Sequence, residues 1–331
     1  MYDVIETCAG AGGQAIGLHL AGFKHRALVE IDHHACETLR HNAHLIGAEG
    51  RVHEADLLNW PHKSIIDDMR APSLLAGGVP CPPFSMAGKQ LGKDDERDLF
   101  PRMIKLARLL KPRAVMVENV RGLLDTKFDD YRASITRRLR LAGYVSHWQL
   151  LHAANFGVPQ LRPRTVLVAL RPDDAAYFSW PEGSDDLVTV GEALHESMAS
   201  EGWEGAKAWT AKACTVAPTL VGGSKKHGGP DLGPTRARKA WADLGVDGRA
   251  LANELPETGH VGDVRLTVEQ TAIVQGFPDW WKIVGRKTNA YRQVGNAFPP
   301  PVAAAVGTQI VAAFTAADLA NDSEAADAIA S

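Results

Sequence analysis

The stretch Asp3-Val4-Ile5-Glu6-Thr7-Cys8-Ala9-Gly10-Ala11-Gly12-Gly13-Gln14-Ala15 decides the fold. An apolar run ends in a glycine turn and opens into a helical pattern, which is how a first strand hands over to a first helix at the carboxyl edge of a parallel sheet. Gly10, Gly12 and Ala15 satisfy the G-x-G-x-x-A form, so backbone can approach a nucleotide-like ligand there. Taken alone, the same residues also describe a plain strand-to-helix turn. Working outward, apolar runs at 3–8, 28–31, 73–76, 114–117 and 165–170 alternate with longer helical patterns. This rhythm predicts an α/β chain with a mostly parallel sheet over residues 1–171.

Beyond 171 the texture turns to Gly, Pro, Trp and polar residues, and a second, smaller, loop-rich domain is expected over 172–264. Helical patterns resume after Leu266, where Thr267 is a candidate N-cap, and after Pro299-Pro300-Pro301, so 265–316 should return to the first domain. The acidic, Ala-rich segment 317–331 has no apolar stripe and reads as a frayed tail. No internal repeat is present.

Composition bounds the class. With 331 residues, 45% of them hydrophobic and 23% charged, the chain reads as an ordinary soluble globular protein. It has neither an apolar run long enough to span a bilayer nor a basic, then apolar, leader at Met1-Tyr2-Asp3-Val4, so a cytoplasmic protein without a membrane partner is expected. A formal charge of −3 excludes an overall field that draws nucleic acid but leaves room for a local basic face. Cys8, Cys36, Cys81 and Cys214 show no C-x-x-C spacing, which argues against a disulfide framework or a metal site.

The candidate chemistry gathers at the carboxyl ends of the expected strands. Glu30 ends the second, where a carboxylate can accept both ribose hydroxyls, and Asp56 ends the third, where it could meet an adenine amine. An adenosine-containing cofactor follows. Cys81 lies in Val79-Pro80-Cys81-Pro82-Pro83, where prolines fix φ around the thiol, and it is the best nucleophile candidate. Glu118 and Asn119 end an apolar strand, and a carboxyl emerging from such surroundings tends to stay neutral and can donate a proton. Arg162 and Arg164 put two guanidinium groups beside another strand, suited to an anionic oxygen.

This ordered set resembles the C5-cytosine DNA methyltransferases of the compact bacterial and phage type. The likeness rests on the glycine motif, Pro80-Cys81, Glu118-Asn119-Val120, Gln160-x-Arg162-x-Arg164, Gln275-Gly276-Phe277-Pro278 with Arg265-Leu266-Thr267, and Tyr291-Arg292-Gln293-Val294-Gly295-Asn296-Ala297, all in the family's order. It implies a Rossmann-like S-adenosylmethionine-dependent methyltransferase sheet with a smaller loop-rich target recognition domain. It also implies transfer of a methyl group from S-adenosylmethionine to carbon 5 of a cytosine flipped out of double-stranded DNA.

In that family a Cys81-type thiolate adds to carbon 6 because carbon 5 is a poor nucleophile. Glu118 would hold ring nitrogen 3 and the exocyclic amine, and Arg164, with Arg162 beside it, the ring carbonyl. Cys8, Gly10, Gly12, Gly13, Glu30, Ile31, Asp56, Pro80 and Asn296 map to cofactor positions. Ser85, Lys89 and Arg97 map to DNA phosphates. In the recognition region Lys225, Lys226, Arg236 and Arg238 supply a basic face, with a solvated loop as the plain alternative.

The sequence departs from the family at Cys8 and Ile31, where aromatic residues usually meet the adenine, and at Glu6, Pro82 and Ala87. A tRNA cytosine methyltransferase shares the fold and chemistry, but Cys214-Thr215 lacks the Phe of that branch's Cys-Phe-Thr signature. A catalytically silent DNA-binding regulator would not need Cys81, Glu118 and Arg164. A monomer is expected, and a cognate restriction endonuclease is a partner to look for.

Overall fold

The computed structural model describes residues 1–60, 70–80, 98–223 and 229–330. One sheet contains β1 (Asp3–Thr7), β2 (Lys24–Glu30), β3 (Val52–Glu54), β4 (Leu74–Gly78), β5 (Ala114–Val120), β6 (Val145–His152) and β7 (Pro163–Leu170). Their order is β3-β2-β1-β4-β5-β7-β6. The first five are parallel, and β7 runs antiparallel between β5 and β6. The chain leaves β1 toward β2 and β3 and then returns to build outward from β4. The β1/β4 boundary is therefore the switch point at which open parallel sheets bind ligands.

Among the described residues the helices of seven residues or more are α1 (Gly13–Leu20), α2 (His33–Asn42), α3 (Phe100–Leu110), α4 (Asp129–Arg140), α5 (Val190–Ala199), α6 (Ala206–Lys212), α7 (Thr235–Asp243), α8 (Val268–Val274), α9 (Lys287–Asn296) and α10 (Pro300–Ala330). Phe100, Met103 and Ile104 of α3 and Ile135 and Leu139 of α4 form one apolar layer on the sheet. Leu18 of α1 and Val302, Val306, Ile310 and Phe314 of α10 form the layer on the other face. Both faces being covered explains why the central strands are continuous apolar runs rather than alternating ones. Edge strand β6 lacks that signature: Val145, Gln149 and His152 are exposed, so its sequence announces no strand, and pairing with β7 alone gives it its conformation.

The segment 317–331, expected to fray, is helical through Ala330. Ala317 is buried, Asp318 accepts a 2.7 Å hydrogen bond from Tyr2 Oη, and its carboxylate lies 2.9 Å from Arg113 Nη1. Arg113 also holds Asp174 and lies 4.4 Å over the ring of Phe314. One arginine at the sheet's amino edge thus fastens the last helix, whose Ala-rich composition favours helix once it is anchored. Among the described residues one helical stretch, 287–323, is long and apolar enough to cross a membrane, yet Val302, Val306, Ile310 and Phe314 within it are buried against the sheet.

Residues 172–264 form short helices joined by loops. α5 begins with a capping box in which Thr189 and Glu192 satisfy each other's backbone N–H, and α8 begins with the Thr267/Gln270 equivalent, as the N-cap expectation requires. Trp203, Trp209 and Trp241 fill the interior of this region with Leu194, Met198 and Leu232. The same apolar cluster continues without a break through Phe277, Trp281 and Tyr291 to Ala15 and Leu39 beside the glycine turn.

Candidate active site

The glycine turn is shaped by positive φ angles at Cys8 (50°), Gly10 (54°) and Gly12 (93°). A Cβ on Gly12 would lie 2.4 Å from the Trp281 ring, and one on Gly13 would lie 2.2 Å from the Phe298 carbonyl oxygen, so neither position admits a side chain. Trp281 Nε1 donates to the Ala11 oxygen at 2.9 Å and clamps the turn from behind. Gly10, by contrast, faces open space. Sequence reasoning missed Trp281 because nothing local ties a tryptophan after Gln275-Gly276-Phe277-Pro278 to a turn so distant along the chain.

Glu30 emerges from β2 under this turn. Its Oε2 accepts from Gly10 N at 2.8 Å, and its Oε1 accepts from Ile31 N at 2.9 Å and Asp32 N at 2.8 Å. Burial raises its carboxyl above the usual range, against the pull of these three bonds. Asp32 then caps α2 through His34 N and Ala35 N, which fixes the direction in which the chain leaves. Ile31 is 67% exposed, so its side chain stands at an open rim. Asp56 lies two residues beyond β3 and accepts from Leu58 N at 2.9 Å.

Together these residues fit a nucleoside-bearing cofactor: an unobstructed glycine backbone, a carboxylate beside it and an exposed aliphatic side chain. Cys8 is not a rival nucleophile. Burial, then the carboxylates of Glu30, Glu6 and Asp56, push its thiol far up, and Cys36 is pushed up to about 12. Below the turn, Glu6 is wholly buried with Oε2 4.0 Å from His25 Nδ1. Burial raises the Glu6 carboxyl well above its usual range and lowers the His25 ring to about 4, so His25 is neutral near pH 7.

The second half of the site forms where β5 meets β7. Antiparallel register sets Val120 opposite Arg164, which brings Glu118 and Arg164 out at the same edge. Arg164 Nε lies 2.7 Å from Glu118 Oε1. Desolvation raises the Glu118 carboxyl, while the Arg164 and then the Arg162 charge oppose that shift. Gly78 of β4 lies opposite Glu118, and a Cβ there would come within 3.2 Å of Glu118 Oε2.

Asn119 points elsewhere: its Nδ2 donates to the Val79 oxygen at 2.9 Å, fixing the backbone just before exposed Pro80. That positioning role was not legible in Glu118-Asn119 as a motif. Cys81, Ser85, Lys89 and Arg97 lie outside the described residues, as do Lys225 and Lys226. Arg236 and Arg238 stand on α7, the first exposed and the second half-buried.

Arg162 corrects the expectation that it joins Arg164 at the substrate. The side chain is fully buried, donating through Nη1 to the Leu220 oxygen at 2.8 Å and through Nη2 to Gly295 O at 2.9 Å and Ala297 O at 2.8 Å. It is a positioning residue that joins the sheet to the end of α9 and to the strand-like segment at Leu220. Around it Gln160 accepts from Leu220 N, and Asn296 Nδ2 donates to Gly223 O at 3.2 Å. A Cβ on Gly295 would sit 2.3 Å from Gly222 N, so the two backbones touch. Arg162→Met leaves the buried Leu220 and Gly295 carbonyls without this donor, while Ala297 O keeps its bond from Gln275 Nε2, and the variant is expected to lose about 2 kcal/mol or more of stability, read from urea melts. Arg162→Lys should recover only part of the loss, because an ammonium cannot reproduce the fork. Melts unchanged in both would refute the clamp.

A sheet of this order, with a glycine turn at its switch point and an antiparallel β7 inserted before β6, is the Rossmann-like fold of the S-adenosylmethionine-dependent methyltransferases. The chain belongs to the C-5 cytosine-specific DNA methylase family, whose profile matches residues 2–312. It is 55% identical over 317 residues to the Type II methyltransferase M.NaeI of Lentzea aerocolonigenes, covering 94% of this chain and 75% of that one. It is 49% identical to M.NgoMIV of Neisseria gonorrhoeae, covering 95% and 98%. Among solved structures it is similar in fold to a prophage-encoded putative DNA modification methyltransferase of E. coli (TM-score 0.64, 19% identity, covering 95% and 100%). The DNMT2 of Spodoptera frugiperda is comparably similar (TM-score 0.64, 17% identity, covering 94% and 100%).

Proposed function

We propose that this cytosine-5 DNA methyltransferase modifies one cytosine within a short duplex sequence, as the modification half of a restriction-modification pair, through a covalent adduct between Cys81 and carbon 6 of the flipped base. The observation that carries the reading is the Glu118–Arg164 pair of 2.7 Å, facing Gly78 at the strand end from which Val79-Pro80 leads to Cys81. A carboxyl raised by burial can keep the proton needed to hold ring nitrogen 3, and the guanidinium beside it offers donors to the ring carbonyl.

S-adenosylmethionine would be held by the turn at Gly10 with Glu30, Ile31 and Asp56, and when bound it supplies an electrophilic methyl group. The chain's own residues do the rest. The Cys81 thiolate bonds to carbon 6, Glu118 shares its proton with nitrogen 3 as the ring π electrons shift onto carbon 5, and Arg164 steadies the developing charge on the carbonyl. After methylation a base removes the carbon 5 proton, the electrons re-form the 5,6 double bond, and Cys81 leaves as the thiolate. Asn119, through Val79, keeps the backbone before Cys81 in place.

The test is to express the protein in a bacterial host lacking cytosine methylation and bisulfite-sequence its DNA and tRNA. One short DNA motif, modified throughout the genome, with unmodified tRNA, is the expected result. Unmodified DNA, or modification confined to tRNA, would overturn the proposal.

A further inference from the structure

The outer flank of the sheet carries a second concentration of charge. Arg102, Lys105 and Arg108 follow one another at every third position of α3 and, with Arg138 of α4, line a cleft of about 490 Å³ floored by Leu58 and Ile104. Among the described residues no carboxylate lines it. Lys105, Arg108 and Arg138 have no ion-pair partner among the described residues, although carboxylates slightly outnumber cations in the chain as a whole.

Helix stability does not account for this row. The arginines in the last turn of α4 complement that helix's carbonyl end. Arg102, however, lies in the first turn of α3, where the helix dipole disfavours cations, and Lys105 sits at mid-helix, where the dipole gives it no support.

The row also has a direction. α3 ends at Leu110 and β5 begins at Ala114, so the last turn of α3 lies at the amino edge of the sheet and its first turn at the carboxyl edge, where Glu118 and Pro80 emerge. Arg102 marks that upper end, its Nε donating to Leu57 O at 2.9 Å, one residue beyond Asp56. From there the cations descend over roughly 9 Å, at about 1.5 Å per residue. An open line of unpaired cations leading away from the catalytic rim suits a linear polyanion better than a single enclosed anion. A DNA strand presents a phosphate about every 3.4 Å along the helix axis, enough for two or three phosphates over that length.

We propose that this cleft holds backbone phosphates of the DNA flanking the methylated sequence, on the same duplex as the target cytosine. The inference rests on DNA being the substrate, and its test separates the two. The variant Lys105→Glu/Arg108→Glu/Arg138→Glu, which leaves every residue of the candidate site untouched, is compared with the parent on two duplexes carrying the mapped sequence. One ends at the recognition sequence, and the other has several helical turns of flank on each side. Dissociation constants are measured across a salt series.

On the long duplex the variant should bind about tenfold or more weakly near 0.1 M salt, with the log-log salt slope reduced by about 0.9 for each phosphate that is no longer neutralised. On the short duplex, binding and methylation should match the parent. Equal weakening on both duplexes, or none on the long one, would overturn the proposal. Should the triple variant not fold, Lys105→Glu alone, at an exposed position, must show the same length dependence with a slope change near 0.9. A parent inactive on both duplexes would instead count against DNA as the substrate.

Discussion

Cys81→Ser is expected to abolish methyl transfer while leaving DNA binding near that of the parent. A serine hydroxyl is far less ionised at neutral pH than a thiol and is a poorer nucleophile, so the bond to carbon 6 does not form and carbon 5 stays inert. The described thiols nearest the sheet edge offer no substitute, because Cys8 and Cys36 are both held protonated by burial and adjacent carboxylates. DNA carrying 5-fluorocytosine at the target should trap a covalent adduct with the parent and none with the variant, since fluorine cannot leave as the proton does. An adduct that persists in Cys81→Ser, or turnover that survives, would remove Cys81 from the mechanism.

Glu118→Gln should cost about 10² to 10⁴ in kcat, the span typical of a lost general acid, with a smaller effect on DNA affinity. The amide can still donate a hydrogen bond to ring nitrogen 3, but it cannot pass a proton to it or take one back. It also replaces one of the two carboxyl oxygens in a group that lies 2.7 Å from Arg164 Nε. The sign of the pH dependence follows from the raised carboxyl: the competent, protonated form is present below the folded-state pKa and lost above it. The parent's activity should therefore fall on the alkaline side as Glu118 ionises, and that limb should disappear in the variant. A variant with parental kcat, or with the alkaline limb intact, would assign the proton to another group.

Much of the fold was legible because the central parallel strands β1, β2, β4 and β5 are largely buried on both faces and so appear as apolar runs, whereas β3 is a short, half-exposed edge strand without such a run. β6 was not, because an edge strand takes its conformation from its neighbour and its own residues alternate irregularly between half-buried and exposed. The tail from 317 was misjudged for a related reason. What holds it is Arg113, a residue far away in sequence whose partners Asp174, Asp318 and Phe314 come together only after folding.

At the site, motif spacing located Glu30, Glu118 and Arg164 but could not say which way each side chain points. Along Gln160-Leu161-Arg162-Pro163-Arg164 the two arginines share a face by alternation, yet Arg162 turns into the interior and Arg164 toward Glu118. Trp281 and Asn119 escaped notice because their work is done on backbone atoms of distant segments, Ala11 O and Val79 O, which leave no pattern in the residues themselves.

The Arg162 clamp also sets where this protein can be cut and rejoined with a relative. A chimera that exchanges residues 172–264 as a block changes the segment that presents Leu220 O and lies against Gly295, while leaving the arginine and α9 from the other parent. Junctions drawn on either side of 217–223, so that this stretch stays with its own arginine and its own α9, keep the three chain segments that meet there in native register. Hybrids built that way should inherit a new sequence preference without a weakened scaffold, whereas block exchanges should express poorly even when both parents are stable.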